Sequence, residues 1–368
     1  MSTERLGRLR EEMTKQGFAA MIFNAGPTLT YMTGMDFHLM ERPVVVALPR
    51  EGEPVIVLPE LEAAKLASSA LPLTPFCYGE DPVLWGRSFQ QALGGLCPEG
   101  GKIGVEPRQL RLLEYDYLLG AQEGGEIVDG SALVAALRAV KDQTEITAMR
   151  RAVRIAEEAL EATLPMVKVG SSEREIAAEL QLQLLRHGSD STLPFAPIVS
   201  SGANGANPHA RPSAKRLVEG DLLIVDWGAA YEGYVSDITR TFAVGRIDAE
   251  AQVIHQVVLA ANRAGREAGG PGRPCAAVDR AARNAIEEAG YGRFFTHRTG
   301  HGIGMECHEE PYIRSDNRQL LQAGMTYTVE PGIYLAGRNG VRIEDDVLVT
   351  PDGAESLSTM VRELRVVG

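Results

Sequence analysis

Residues 220–241 read GDLLIVDWGAAYEGYVSDITRT. The apolar run Leu222-Leu223-Ile224-Val225 has the character of a buried strand and delivers Asp226 into a Gly-punctuated turn. A second β-rich run, Tyr234 to Thr241, carries Asp237. An acid at the end of a buried run is costly to desolvate unless a cation, an Arg or a backbone cap offsets it. The rest of the chain has to supply that partner.

A later stretch repeats the plan. Gly220 precedes Asp226 by six residues and Gly228 follows it by two, while Gly324 precedes Glu330 by six and Gly332 follows it by two. A second run, Val341 to Val349, then carries Glu344 as the first carried Asp237. Period-two alternation sets Arg342, Glu344 and Asp346 opposite Val341, Ile343 and Val347. Two helical patterns stand before each copy. Asp142/Glu145 and Ser172/Glu175 have capping-box spacing, with Gly188 placed as a stop, ahead of the first. Residues 248–269 and 276–289 precede the second. We read a duplicated helix-helix-hairpin unit whose halves meet with four carboxylates facing one another.

Four converging carboxylates cannot all stay ionised unless cations sit among them. Oxygen ligands with one imidazole suit two divalent ions about 3.5 to 4 Å apart. Of the seven histidines, His209, His297, His301 and His308 lie at or near the proposed site, whereas His38, His187 and His255 read as packing or surface residues. The run Gly300 to Gly304 lacks the Lys-Ser/Thr of a phosphate cradle and the helix that should follow it. Cys307 reads as a small apolar filler.

The chain has 368 residues, 44% hydrophobic and 23% charged, with a net charge of -12. That length suggests two domains, and the acidic balance argues against nucleic acid or an anionic membrane as partner. The mean hydropathy is -0.10, no apolar run is long enough to span a bilayer, and residues 1–17 read as a charged helix rather than a targeting segment. Cys77, Cys97, Cys275 and Cys307 lack CxxC spacing, as expected of reduced thiols in a cytoplasmic protein. Residues 1–128 read as an α/β unit with a hairpin over Val44–Leu48 and Pro54–Leu58 and no catalytic cluster. Residues 129–140 are expected to link it to a second unit, 141–368.

The segments DWGAAYEGYVSDITRT, THRTGHGIGMECHE, TVEPGIY and GVRIEDD resemble the creatinase/aminopeptidase ("pita-bread") metallopeptidases, which include prolidase, aminopeptidase P and methionine aminopeptidase. The resemblance covers residues 141–368 closely and residues 1–128 more loosely, mainly through Tyr31-Met32-Thr33-Gly34. It implies an α/β (α+β) protein with a creatinase-like N-terminal domain and a pita-bread domain of pseudo-twofold symmetry. It further implies that Asp226 and Asp237 bind one metal, that His301 and Glu330 serve the other, and that Asp237 and Glu344 bridge both. The two divalent ions are expected to be Mn²⁺, with Co²⁺ or Zn²⁺ as substitutes.

By the same resemblance, Glu330 shuttles the proton, His209 and His308 contact the substrate carbonyl, Arg342 orients carboxylates, and Tyr234 anchors the Asp237 strand. His297 is a further supporting candidate. The implied enzyme is a dipeptidase cleaving the Xaa-Pro imido bond through a metal-bridging hydroxide, with Arg298 and Arg314 as candidate binders of the free carboxylate. Tyr312, after the HEEP run, stands where some prolidases carry a basic residue, which leaves aminopeptidase P as the alternative. A metal-free binding protein of the same fold is the alternative from another class. Small peptides with proline second are the implied partners, and a homodimer the implied assembly.

Overall fold

The computed structural model describes residues 2–96, 101–121 and 124–368. Cys97 lies outside these residues, and the other three cysteines are free. The chain forms two compact units, Met1–Arg138 and Ala139–Gly368. No helix among the described residues is long and apolar enough to cross a membrane.

In the first unit, α1 (Ser2–Gln16), β1 (Phe18–Asn24) and α2 (Pro27–Thr33) are followed by β2 (Val45–Pro49), β3 (Val55–Pro59) and β4 (Thr74–Tyr78). Then come α3 (Pro82–Leu93), β5 (Gly101–Val105), α4 (Leu112–Ala121), β6 (Gly125–Asp129) and α5 (Ser131–Ala139). The strands make one mixed sheet, ordered β4-β3-β2-β1-β5-β6. β2 and β3 form the hairpin expected from the turn between them. β4 escaped sequence reading because its residues are mostly solvent-facing and it carries Pro75, which an edge strand tolerates. Tyr31 to Thr33 belong to α2, which Gly34 closes in the left-handed conformation. The expected linker is itself structured. Residues 129–140 hold the end of β6 and all of α5, whose Leu133, Val134 and Leu137 are buried.

The second unit opens with α6 (Gln143–Thr163) and α7 (Glu173–Arg186), each closed at its N-terminus by a capping box, Asp142/Glu145 and Ser172/Glu175. β7 (Ile198–Ser201), β8 (Leu222–Trp227), the short hairpin β9 (Ala230–Tyr231) and β10 (Tyr234–Val235), and β11 (Ile238–Val244) complete the first half. The second half has α8 (Ala249–Ala268), α9 (Cys275–Glu288), β12 (Gly300–Gly302), β13 (Glu309–Ile313) and β14 (Thr326–Val329). It continues through the hairpin β15 (Gly332–Leu335) and β16 (Asn339–Arg342) to β17 (Asp345–Thr350), β18 (Gly353–Ser356) and β19 (Arg365–Val367). The sheets are ordered β19-β11-β8-β7 and β13-β12-β14-β17-β18. Each half therefore runs strand, small hairpin, strand, behind a packed helix pair.

Alternation along β8 divides its side chains. Leu223, Val225 and Trp227 enter the core under α6 and α7, while Leu222 packs with residues of α8. Asp226 shares the face of Leu222, away from α6 and α7. Trp227 is fully buried, and its indole N–H donates to the Ala156 carbonyl on α6 at 2.8 Å. That bond fixes the strand end that carries the acid.

His255 on α8 is buried with its Nε2 unpartnered, and desolvation pushes its imidazole down to about 4. The unfolded chain, with an ordinary pKa near 6.5, then binds more protons than the folded one between those values. Stability is therefore full above about pH 6.5 and is lost as pH falls toward 4, by an amount on the order of 3 kcal/mol. His255→Leu should remove this loss while changing neutral-pH stability little. Denaturant midpoints of the two proteins at pH 5 and pH 7.5 measure it, and equal pH dependence would count against this origin.

Candidate active site

Both strand runs that sequence periodicity read as continuous are broken at their acids. Tyr234 to Thr241 splits into β10 and β11, with Asp237 in the break, and Val341 to Val349 splits into β16 and β17, with Glu344 in the break. At each break the chain changes partner, β10 pairing with β9 and β11 with β8, β16 with β15 and β17 with β14. The freed backbone groups are used to join elements. The Glu344 N–H donates to the Thr239 carbonyl at 3.1 Å, linking the two halves, and the Asp237 N–H donates to Asp346 Oδ2 at 3.1 Å. Asp226 is the penultimate residue of β8, opposite Thr239, and Glu330 follows β14 directly.

The remaining member, His301, lies at the centre of β12 between Gly300 and Gly302. A Cβ at Gly300 would sit 1.8 Å from the Thr328 carbonyl oxygen, and one at Gly302 would sit 2.3 Å from that of Glu310. Only glycine lets the neighbouring strands close this far on the imidazole. Residues 300–302 thus form a strand paired on both sides, not a phosphate loop.

Ligand-capable atoms of Asp226, Asp237 and Glu344 lie within 4.8 Å of one another, as do those of His301, Glu330 and Glu344, and those of Asp237, His301 and His308. His301 Nε2 is 3.4 Å from Glu330 Oε1 and 3.7 Å from Asp237 Oδ2. His301 Nδ1 is 3.2 Å from the Gly302 carbonyl, an acceptor only, so that nitrogen carries the proton. Nε2 is then the nitrogen that faces two carboxylate oxygens and that could ligate a cation.

Electrostatics show the same deficit of positive charge. Burial first, and then repulsion from neighbouring acids, pushes Asp237 and Glu344 well above the usual carboxylate range. Asp226 is also raised by burial, against the pull of Arg342, and its Oδ1 is buried without a hydrogen-bond partner. Burial raises Glu330 too, but His301, His297 and Arg342 outweigh it and hold the group at about 2. Crowded oxygens, an orphaned carboxylate atom and an imidazole nitrogen aimed at them suit divalent cations, which would offset the carboxylate charge and take the nitrogen as a ligand.

Residues 147–351 match the model of metallopeptidase family M24, and residues 5–140 match the creatinase/prolidase N-terminal domain. The chain belongs to metallopeptidase family M24. It is 38% identical over 358 residues to the probable dipeptidase PepE of Mycobacterium tuberculosis, covering 95% of this chain and 92% of that protein. A dipeptidase structure from Pyrococcus horikoshii superposes with a TM-score of 0.92 at 36% identity, covering 99% of this chain and 100% of that one. A prolidase from Thermococcus sibiricus gives 0.91 at 33% identity, covering 100% and 99%. The M24 fold, with its creatinase-like first domain and pita-bread second domain, is thus common to all three.

Other residues of this M24 site take places the sequence only partly foretold. Arg342, buried at the end of β16, donates to Asp226 Oδ2 at 2.5 Å, to the Tyr334 hydroxyl at 2.9 Å, and to Thr239 Oγ1 and the Pro208 carbonyl, both at 3.2 Å. His297 is mostly buried. Its Nδ1 donates to the Arg298 carbonyl at 2.7 Å, its Nε2 accepts from Tyr334 at 2.9 Å, and burial lowers its pKa. Its Nδ1 also lies 4.0 Å from Glu330 Oε2. The His308 ring centroid is 4.0 Å from that of His301. His308 keeps an exposed edge, yet packing on its other side, and then the charges of His301 and Arg298, push it down to about 4. His209 is exposed on the loop before β8, close enough for its charge to act on His308.

Three expectations are redirected. The Tyr234 hydroxyl donates to Glu145 at the head of α6, at 3.0 Å, and it is Asp346 that holds the backbone of Asp237. Arg314 is exposed and paired with Asp316 at 3.1 Å, whereas Arg298 is half-buried with its guanidinium 4.5 Å over the Tyr312 ring. Cys307 is not a mere filler, since its Sγ donates to Asp237 Oδ2 at 3.0 Å.

Two further residues went unread in the sequence. Thr239 Oγ1 donates to Glu344 Oε2 at 2.7 Å. The Asn262 amide donates to the Val329 and Ile343 carbonyls at 3.0 and 3.2 Å, the residues just before Glu330 and Glu344. A lone Asn on the buried face of α8, among Val258, Ala261 and Gly265, was the available signal.

Proposed function

We propose that this M24 peptidase is an Xaa-Pro dipeptidase that works with two divalent ions. The observation that carries the reading is the pair of ligand groups sharing Glu344, one of them containing His301, whose Nε2 faces the carboxylates. Asp226 and Asp237 would hold one ion, His301 and Glu330 the other, with Asp237 and Glu344 common to both. An oxygen-rich set with one nitrogen suits Mn²⁺, and Co²⁺ or Zn²⁺ fit the same donors. When bound, such ions supply an acidified water and polarise the scissile carbonyl.

The chain's own groups do the rest. Glu330, ionised at neutral pH, takes up a proton at its carboxylate and passes it to the departing prolyl nitrogen. His308 and His209 donate N–H groups to the substrate carbonyl oxygen as it gains charge. Arg342 opposes the effect of burial on Asp226 and fixes its Oδ2, which preserves the donor geometry. Small peptides with proline in the second position are the substrates. A homodimer, by family resemblance, and a cytoplasmic location, from cysteines without disulfide or CxxC spacing, belong to the same reading.

Dipeptidase over aminopeptidase P is favoured by Arg298. Among the described residues it has no ion-pair partner, Tyr312 supports its planar face, and its charge acts on His308. A guanidinium held there can take the free carboxylate of a dipeptide in a fork. Tyr312, the departure from the basic residue of some prolidases, thus becomes its platform. The Mn²⁺-loaded enzyme should cleave Ala-Pro in preference to Ala-Pro-Ala. Arg298→Ala should raise KM for Ala-Pro by about 10- to 100-fold, the worth of one charged hydrogen-bonding pair, and change the tripeptide little. A clear preference of the wild-type enzyme for the tripeptide would make it an aminopeptidase P.

A further inference from the structure

Glu173, the first residue of α7, is fully buried and has no ion-pair partner among the described residues. Neutral donors alone satisfy it. Oε1 accepts from the Ser201 N–H at 2.7 Å and the Ser201 hydroxyl at 2.9 Å. Oε2 accepts from the Asn204 amide at 2.7 Å, the Ser213 N–H at 2.9 Å and the Ser213 hydroxyl at 2.6 Å. A buried carboxylate is tolerable only with such a full complement of donors.

All of these donors come from the two ends of one segment, residues 201–213. Apart from Ser201 at the end of β7 and a short 3-10 turn, Gly202–Ala206, that segment has no regular structure, only a few hydrogen bonds within itself. Its middle is held by the opposite charge, because the Pro208 carbonyl accepts from Arg342. The next residue is His209, whose N–H is capped by the Asn207 side chain at 3.1 Å. The segment is thus drawn to an anion at both ends and to the site's own guanidinium at its centre. Packing of the α7 terminus alone would not require both ends to meet on one carboxylate.

We propose that Glu173 is a positioning residue for the reaction, setting the place of His209 by clamping the two ends of its loop. The proposal rests on the reading above, in which His209 touches the substrate. Glu173→Gln keeps the size of the side chain but replaces one oxygen by a donor. Whichever oxygen is replaced, the backbone N–H of Ser201 or of Ser213 then faces another N–H.

The test is a double-mutant cycle on the Mn²⁺-loaded full chain, with Ala-Pro as substrate and bound manganese measured for each variant. Glu173→Gln should lower kcat/KM by about 10- to 100-fold, as removal of an orienting partner typically does, with the manganese content unchanged. In a His209→Ala background the same substitution should cost nothing further. Ser213→Ala, which keeps the carboxylate and removes one hydroxyl, should show a smaller loss that also vanishes in that background, and it serves if Glu173→Gln fails to fold. Equal losses in both backgrounds, or no loss in the wild-type background, would overturn the proposal. If His209→Ala alone left kcat/KM unchanged, it is the reading of His209 as a substrate contact that would fall, and the proposal with it.

Discussion

Replacement of Asp237 by Asn is expected to lower peptide hydrolysis by about a thousandfold or more, the scale of losing a buried electrostatic contact to the reacting centre and a cation ligand together. Asp237 belongs to two of the three ligand groups, which no other acid except Glu344 does. Its Oδ2 faces His301 Nε2 at 3.7 Å and accepts from Cys307. An amide supplies one oxygen where the carboxylate supplied two, and its NH₂ repels a cation. The backbone should be indifferent, because the Asp237 N–H to Asp346 does not involve the side chain. In the presence of chelator the variant should melt no lower than wild type, since one of several mutually repelling buried acids has been neutralised. Lost activity with an undiminished chelator-state melting temperature is the expected pair of results. Retention of a tenth of the wild-type activity would contradict the placement of Asp237 at the centre of the site.

Arg342→Leu should have the largest effect on stability. The guanidinium joins β8, through Asp226, to β15, β11 and the loop at Pro208. Removing one member of a buried pair leaves the other charge uncompensated, at about 3–5 kcal/mol. For a unit of this size that corresponds to a melting temperature lower by roughly 10 °C in chelator. Part of the loss should be recovered on adding Mn²⁺, which would take over the compensation of Asp226. Arg342→Lys should behave much like the leucine variant, because a point charge cannot reach acceptors on four segments as a planar fork does. Wild-type stability of the lysine variant would show that charge alone, and not the fork, is what the site uses.

Much of this was legible in the sequence because the duplicated acids carry their own spacing. The Gly-x₅-acid-x-Gly pattern at 220–228 and 324–332 placed Asp226 and Glu330 at strand ends, and both capping boxes placed α6 and α7. Alternation failed at Asp237 and Glu344. A run of β-formers does not reveal that the chain changes partner within it, since pairing is set by strands distant in sequence. Asn262, Thr239 and Glu173 were hidden for a related reason. Their work is to satisfy backbone and side-chain groups far along the chain, and nothing in their local pattern records which groups those are. Tyr234 holds its strand through a hydroxyl that reaches Glu145 on α6, a partner its place beside Asp237 in the sequence does not disclose. The Arg298–Tyr312 stack joins two residues that the sequence presented as separate facts, one a candidate and the other a departure.

The most direct test of the two-ion peptidase is a metal titration. The protein is stripped with chelator and dialysed. Mn²⁺ is then added in steps, with bound metal and Ala-Pro hydrolysis followed together. About two ions bound per chain, with hydrolysis absent in the stripped protein and complete only as the second ion binds, is the expected result. Hydrolysis that survives stripping, or full activity at one ion per chain, would contradict it.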